Sequence, residues 1–170
     1  MSEGLNYTGF TLPPSIVTGP DLARLVRELE AVDGALTTVA ARAKVGVQSS
    51  AMPGLSQVLT DFLTVNKLSL ADPTAREALL RAMRQLKEHA PTVHMTFAAE
   101  ADRTSLQQLA QWLRSSVHPQ AVIAVGLQPG LVAGVYMRTN NRVFDLSLKG
   151  ALKGGRAILT KELGALRGRA

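Results

Sequence analysis

Few side chains in this sequence have the types and spacing that chemistry requires. The three histidines, His89, His94 and His118, fall at the end of a helical pattern, in an alternating pattern and before a proline. None lies four residues from another, which is the helical spacing of a zinc site built on two histidines. We therefore predict no metal site. Because the chain has no cysteine, we also expect no thiolate chemistry and no disulfide.

Asp145 and Ser147 have the types of an acid and a nucleophile, but no base is placed to act with them, and turn and capping roles explain both. The glycine-rich stretch KGALKGGRA at residues 149–157 lacks the Gly-Lys-Ser/Thr ending of a phosphate-binding loop. The sequence also has no G-x-S-x-G motif. We expect no enzyme activity, no cofactor and no direct small-molecule ligand.

The composition favours helices, and the length fits one ordinary domain or two small ones. The chain has 170 residues, of which 46% are hydrophobic but only 4% aromatic. Its core must therefore consist mostly of leucine, valine and alanine, and leucine and alanine are strong helix formers. No apolar run is long enough for a transmembrane helix, and residues 1–10 lack the pattern of a secretory signal.

The positive charge is concentrated at the C-terminal end. Residues 148–170 contribute +5 to the net charge of +6, and the rest of the chain contributes +1. Such a cluster favours an acidic protein surface, nucleic acid or anionic lipid as a partner. A solvated helix face, with cations near the C-terminal helix end, explains the cluster equally well.

Three helical patterns precede Pro91. The first begins near Pro20, the second covers about residues 53–66, and the third follows Asp72-Pro73. Residues 1–19 form an extended arm, which we expect to be a frayed terminus. The cations of the third helix are interpreted as a solvated face, and they are Arg76, Arg81, Arg84 and Lys87.

After Pro91 the apolar period changes from helical to alternating, as Val93, Met95 and Phe97 show. The following patterns predict the order strand, helix, three strands, helix. The fold class is therefore α+β, with an N-terminal bundle of about three helices followed by a small mixed β-sheet domain. The predicted divisions are residues 1–19 for the arm, 20–90 for the helical domain, and 91–170 for the α/β domain with its basic C-terminal helix.

Residues 126–152 contain a hairpin signal. Two apolar runs, Leu131–Met137 and Val143–Leu146, are predicted to be strands. They flank Asn140-Asn141, a plausible two-residue turn because asparagine tolerates positive φ. With this turn, Arg138 faces Val143 and lies diagonal to Asp145 on one face of the sheet. Gly134 suggests a bulge or a close backbone approach, and Ser147 is predicted to cap a helix that starts at residue 148.

This stretch resembles the C-terminal signature of the delta subunit of rotary ATP synthases, whose mitochondrial counterpart is the oligomycin-sensitivity-conferring protein. The residues that match in register are Pro129, Leu131, Gly134, Val135, Arg138, Val143, Asp145, Ser147 and Leu152. Three positions depart from the signature: Gln128 stands in place of an acid, Ala133 in place of a glycine, and Asn140-Asn141 in place of a Gly-Asp turn.

The resemblance implies a non-catalytic stator subunit, which links the catalytic head of a proton-translocating ATP synthase to its peripheral stalk. The implied partners are head subunits at the N-terminal domain and b-type stalk subunits at the C-terminal domain. The implied location is cytoplasmic, peripheral on the inner face of the plasma membrane. The residues predicted to contact the stalk are Lys149, Leu152, Lys153, Arg156, Leu159 and Leu163.

One departure concerns the N-terminal half, because the family has six helices there and this sequence has three helical patterns. An alternative function is a basic nucleic-acid-binding module that uses residues 148–170, although few aromatic residues are present to stack on bases. A third possibility is a scaffold or dimerisation domain without another partner.

Overall fold

The computed structural model describes residues 9–46, 54–131, 133–139 and 142–147, and for Ser147 the backbone alone. These residues form four α-helices and four strands: α1 (Gly19–Lys44), α2 (Gln57–Val65), α3 (Pro73–His89), β1 (Thr92–Phe97), α4 (Arg103–Ser116), β2 (Val122–Leu127), β3 (Gly134–Arg138) and β4 (Val143–Ser147). The predicted α+β class is confirmed. The predicted last helix lies beyond residue 147, outside this range.

The chain divides into two compact units. The helical unit consists of residues 1–91 and 106–122, and the sheet unit consists of residues 92–105 and 123–170. The helical unit therefore includes most of α4, which comes later in the chain than β1. The domain limits at residues 19, 90 and 170 stay predictions.

The helices of the helical unit begin where the sequence provides caps. Thr18 and Asp21 form a capping box at the start of α1, and Ser56 and Asp72 cap α2 and α3. The apolar stripe of α1, from Leu22 to Val32, is buried, and α1 packs against α3 and α2. The core of this unit therefore lies on the α1 face that the periodicity predicted.

The segment before α1 belongs to this core. Phe10 and Ile16 are 5% and 0% exposed, and the Phe10 ring meets Phe62 of α2 edge-on, with the ring centres 5.7 Å apart. The Asn66 side chain accepts a hydrogen bond from the Thr11 backbone N–H and donates one to its carbonyl. The expectation of a frayed terminus is therefore wrong for residues 10–17, because their apolar side chains fill the space beside α1 and α2.

Arg114 of α4 also holds this segment. Its guanidinium has no carboxylate partner among the described residues and donates to backbone carbonyls instead. The acceptors are Leu12, Pro13, Ile16 and Ala121. Burial lowers the pKa of Arg114 from its ordinary value, but an arginine remains charged at neutral pH. One side chain therefore connects α4, the segment before α1 and the segment before β2.

The sheet has the strand order β2-β1-β3-β4. β3 is antiparallel to both β1 and β4. β2 runs parallel to β1. The Val122 N–H donates to the Pro91 carbonyl at the start of the two strands, and the Gln128 N–H donates to the Phe97 carbonyl at their end. The sheet is therefore mixed, with α4 in the connection between its two parallel strands.

Candidate functional site

The helical unit carries an apolar groove on its surface. It has a volume of about 610 Å³ and lies along the C-terminal half of α1, where the helix is less buried than at its beginning. Most of its lining is aliphatic; the lining residues are Val32, Leu36, Val39, Ala40, Leu55, Leu63, Leu68, Ser69, Leu70, Ala71, Pro73 and Arg76. An open apolar groove of this kind suits the apolar face of an amphipathic helix.

Arg76 shapes one wall of this groove. It is only 5% exposed, and its Nε lies 2.8 Å from a carboxylate oxygen of Asp33 on α1. Its Nη1 donates to the carbonyl of Leu70 at 2.8 Å and, at a longer 3.4 Å, to that of Ala71. The interpretation of Arg76 as part of a solvated face is therefore wrong, because this side chain is buried and ties α1 to the segment that precedes α3.

The other cations of α3 behave as the sequence suggested. Arg81 pairs with Glu77 one turn earlier on the same helix, and both side chains are largely exposed. Arg84 pairs with Glu30 of α1 at 2.8 Å, and its side chain is 57% exposed. Exposed pairs of this kind contribute about 0–1 kcal/mol each. Arg76 is therefore distinguished from its neighbours by burial and not by charge.

In the sheet unit, the hairpin register agrees with the sequence prediction. Arg138 pairs with Val143, and Tyr136 pairs with Asp145, so that Arg138 and Asp145 are diagonal neighbours on one face. Thr139 and Arg142 exchange backbone and side-chain hydrogen bonds across the connection. Asn140 and Asn141 themselves fall in the gap between the described ranges 133–139 and 142–147.

Backbone conformation or strand pairing describes the places of four further signature residues of this stretch. Pro129 and Leu131 form a short 3-10 helix, so Leu131 does not belong to a strand as its apolar run suggested. Gly134 is the first residue of β3 and has φ +97°, a conformation that glycine adopts readily and L-residues rarely do. Ser147 pairs with Gly134 at the end of β4.

A polar pocket lies on the face of the sheet that carries Arg138. It has a volume of about 550 Å³ and is lined by His94, Thr96, Tyr136, Arg138 and Thr139. The opposite face carries Met95 and Met137, which pair across β1 and β3 and are buried. The alternation of side chains along a strand therefore separates a polar face from an apolar one.

The histidines have separate environments. His89 Nδ1 lies 2.9 Å from the Gln85 carbonyl, and His118 Nδ1 accepts a hydrogen bond from the Gln120 N–H. In the part of the chain that the structure describes, no three His, Cys, Asp or Glu side chains are grouped to hold a metal ion. Within the same ranges, no helix is long and apolar enough to span a membrane.

The residues predicted to contact the stalk all lie beyond residue 147, outside the described ranges. They are Lys149, Leu152, Lys153, Arg156, Leu159 and Leu163. The capping role predicted for the Ser147 side chain is outside these ranges too. Directly before this segment, Phe144 and Leu146 of β4 are 39% and 66% exposed. This end of β4 therefore presents apolar side chains at its surface.

Sequence reasoning missed the residues that join segments distant in the chain. Arg76, Asn66, Arg114 and Gln120 each bond to a backbone or side-chain group at least five residues away. Only the amphipathic stripe of α1, which continues past its buried half, signalled the groove. The type of a polar residue does not by itself indicate which distant carbonyl its side chain will bind.

The helical unit thus has an apolar groove, and the hairpin of the small sheet has exposed apolar side chains. A comparison with protein families gives a match to the ATP synthase delta (OSCP) subunit over residues 38–159, which is more than half of the chain. No curated protein matches the chain. The chain belongs to the ATP synthase delta (OSCP) subunit family and is thus a peripheral-stalk subunit of an ATP synthase.

Proposed function

We propose that this subunit joins the catalytic head of a proton-translocating ATP synthase to its peripheral stalk, so that the head does not turn with the rotor. In this proposal the protein has no catalytic site of its own and acts mechanically. It is cytoplasmic and is held at the inner face of the plasma membrane through the synthase complex. The apolar groove of the helical unit is the observation that supports a docking function.

The groove is proposed to receive an amphipathic helix of a head subunit. Its lining offers Leu36, Val39 and Leu63 to an apolar helix face. Each leucine-sized side chain that such a helix buries contributes about 1.5–3 kcal/mol. Two or three anchors at helical spacing therefore suffice for specific docking, and α1, α2, α3 and the segments beside them form the whole lining of this surface.

The stalk is proposed to bind at the C-terminal end of the sheet unit. The exposed Phe144 and Leu146 lead directly into residues 148–170, which carry a net charge of +5. Apolar side chains beside a basic segment suit an amphipathic stalk helix with acidic residues on its polar face. Leu152, Leu159 and Leu163 are the proposed apolar contacts, and Lys149, Lys153 and Arg156 the proposed partners of acidic side chains.

A pull-down from a membrane fraction of the source cells, with mass spectrometry, tests both docking sites. Leu36→Asp places a charge in the groove and is expected to remove head subunits from the eluate. Thr37→Asp is the matched control, since Thr37 is exposed on the same helix and does not line the groove. Circular dichroism of both variants confirms that α1 is intact.

For the stalk, Lys149, Lys153 and Arg156 are reversed to glutamate together. The matched control reverses Lys161, Arg167 and Arg169, which lie in the same basic segment. We expect the first variant to lose stalk subunits and the control to retain them. Recovery of nucleic acid or unrelated proteins by the wild-type chain, with no synthase subunit, would refute the proposed function.

A further inference from the structure

The end of α2 connects the segment before α1 to the apolar groove. Asn66 is the C-terminal capping residue of α2, and its side-chain amide makes three hydrogen bonds. It accepts one from the Thr11 N–H at 2.8 Å, and it donates to the carbonyls of Thr11 at 2.9 Å and Phe62 at 2.8 Å. One amide therefore joins the backbone of residue 11 to the last turn of α2, across a separation of 55 residues in the chain.

The residue that follows Asn66 turns the chain into the wall of the groove. Lys67 has φ +53°, in the left-handed region that a residue with a side chain rarely adopts. With this turn the Leu68 N–H donates to the Leu63 carbonyl at 2.9 Å, and the Lys67 N–H donates to the Thr64 carbonyl at 3.1 Å, which is the Schellman motif of a helix end. Leu63 and Leu68 both line the groove, so this turn places part of its lining.

The wall continues from this turn to residue 71. All four residues from 68 to 71 line the groove. At one end of this stretch, the hydrogen bond between Leu68 and Leu63 attaches it to α2. Near the other end, Nη1 of the buried Arg76 donates to the Leu70 carbonyl at 2.8 Å. The position of the wall therefore depends on the last turn of α2 as well as on Arg76.

The segment before α1 supports that last turn. The Phe10 ring packs edge-on against Phe62, and both rings are buried, so the contact is shielded from water. Gln120 and Arg114 also hold this segment, because they donate to the carbonyls of Phe10 and Leu12. The segment is thus a fixed support on which α2 ends.

We propose that Asn66 is a positioning residue for the docking groove, which it connects to the segment before α1. Without its side-chain hydrogen bonds, the last turn of α2 loses its polar attachment to residue 11, and Leu68 is no longer held beside Leu63. Docking into a preformed groove is favourable because the lining needs no reordering, so a displaced wall weakens binding although every lining side chain is still present. This role rests on the proposed function, since it matters only if a head subunit binds in the groove.

Two measurements on the full chain test this role. Nuclear magnetic resonance gives the hydrogen-exchange rate of the Leu68 amide relative to that of Met83, a buried residue of α3, with no partner present. Titration with the catalytic head, purified from the source cells and depleted of this subunit, gives the affinity. Asn66→Ala removes the three side-chain hydrogen bonds. Thr18→Ala is the matched control, because it removes a cap of the same unit at the start of α1 and Thr18 does not line the groove.

We expect Asn66→Ala to raise the exchange ratio about tenfold or more and to weaken head binding about fivefold or more, as the loss of one or two net hydrogen bonds predicts. Thr18→Ala should lower the urea midpoint of unfolding by a similar amount, because both variants remove local hydrogen bonds of the helical unit. Its exchange ratio and its head affinity should nevertheless stay within about twofold of the wild type, since the end of α2 is unchanged.

Equal effects of Asn66→Ala and Thr18→Ala on the two measurements would overturn the proposal, because they would indicate a general loss of stability. An unchanged exchange ratio in Asn66→Ala would overturn it as well. So would unchanged head affinity in Asn66→Ala while Leu36→Asp abolishes head binding, and in that case the proposed function would stand. If Leu36→Asp leaves head binding intact, the proposed function fails, and the docking role of Asn66 fails with it.

Discussion

Replacing Arg76 with methionine tests the account of the groove most directly. Methionine keeps much of the apolar volume of the side chain but removes every donor of the guanidinium. In the wild type these donors bind Asp33 at 2.8 Å and the carbonyl of Leu70 at 2.8 Å. The substitution therefore separates the polar role of this buried residue from its role in filling space.

The expected cost follows from what each partner can do afterwards. The Asp33 side chain is 29% exposed, so water can hydrate its carboxylate after the substitution. The loss of stability is therefore smaller than for a fully buried ion pair, which costs about 3–5 kcal/mol to break. The Leu70 carbonyl loses a donor, at about 1 kcal/mol. We expect Arg76→Met to lower the free energy of unfolding by about 2–3 kcal/mol, which corresponds to a fall in Tm of about 4–12 °C.

Urea denaturation followed by circular dichroism measures this change. Arg84→Met is the control on the same helix, because the pair of Arg84 with Glu30 is more exposed and should contribute less than about 1 kcal/mol. A double-mutant cycle with Asp33→Asn isolates the interaction between the two side chains. If Arg76→Met matched Arg84→Met, or raised the stability, the argument from burial would be refuted.

Three further predictions concern other parts of the chain. Arg114→Lys should destabilise the helical unit by about 1–3 kcal/mol in urea denaturation, because a lysine cannot reach the carbonyls that the guanidinium fork spans. Hydrogen bonds from the side chain and backbone N–H of Ser105 lower the pKa of Asp102 in the folded protein. The ionised carboxylate therefore stabilises the fold fully above the ordinary aspartate pKa of about 3.9. This stabilisation is lost as the pH falls through the lower pKa of the folded state. Asp102→Asn should therefore reduce stability at pH 7 more than at pH 2. Gly134→Ala, which forces a side chain onto φ +97°, should cost about 1–2 kcal/mol, measured by thermal unfolding. Gly130→Ala should cost less, because the φ of Gly130 is not in the positive range and open space surrounds the position of a Cβ.

The hairpin shows how far local patterns extend. Its register followed from two apolar runs and a two-residue connection, because side-chain alternation and turn length together leave one pairing that keeps Met137 buried. The start of β3 could not be predicted from the apolar run in the same way. Leu131 continues the apolar run in sequence, but the turn chemistry of Pro129-Gly130 sets it in a 3-10 helix.

The two candidate surfaces differ in how much could be predicted. The stripe of α1 indicated an apolar face, and the alternation in β1 and β3 placed His94, Thr96, Tyr136 and Arg138 in strands. The pairing of β1 with β3 was not predictable, because it joins residues about forty positions apart and depends on the whole sheet. The polar pocket exists only as a consequence of that pairing.

The sequence by itself indicated α1 to α4, the four strands apart from the start of β3, and the hairpin register, because caps, apolar periods and turn residues act over a few positions along the chain. The spacing of the signature residues in 126–152 indicated the family. The tertiary structure alone decided that the segment before α1 enters the core, that Arg76 is buried against Asp33, and that Arg114 binds carbonyls near residue 13. The physical reason is that a polar or apolar side chain is stabilised by whichever groups surround it after folding. Those groups are brought together by packing of the helices, over distances in sequence that no local pattern encodes.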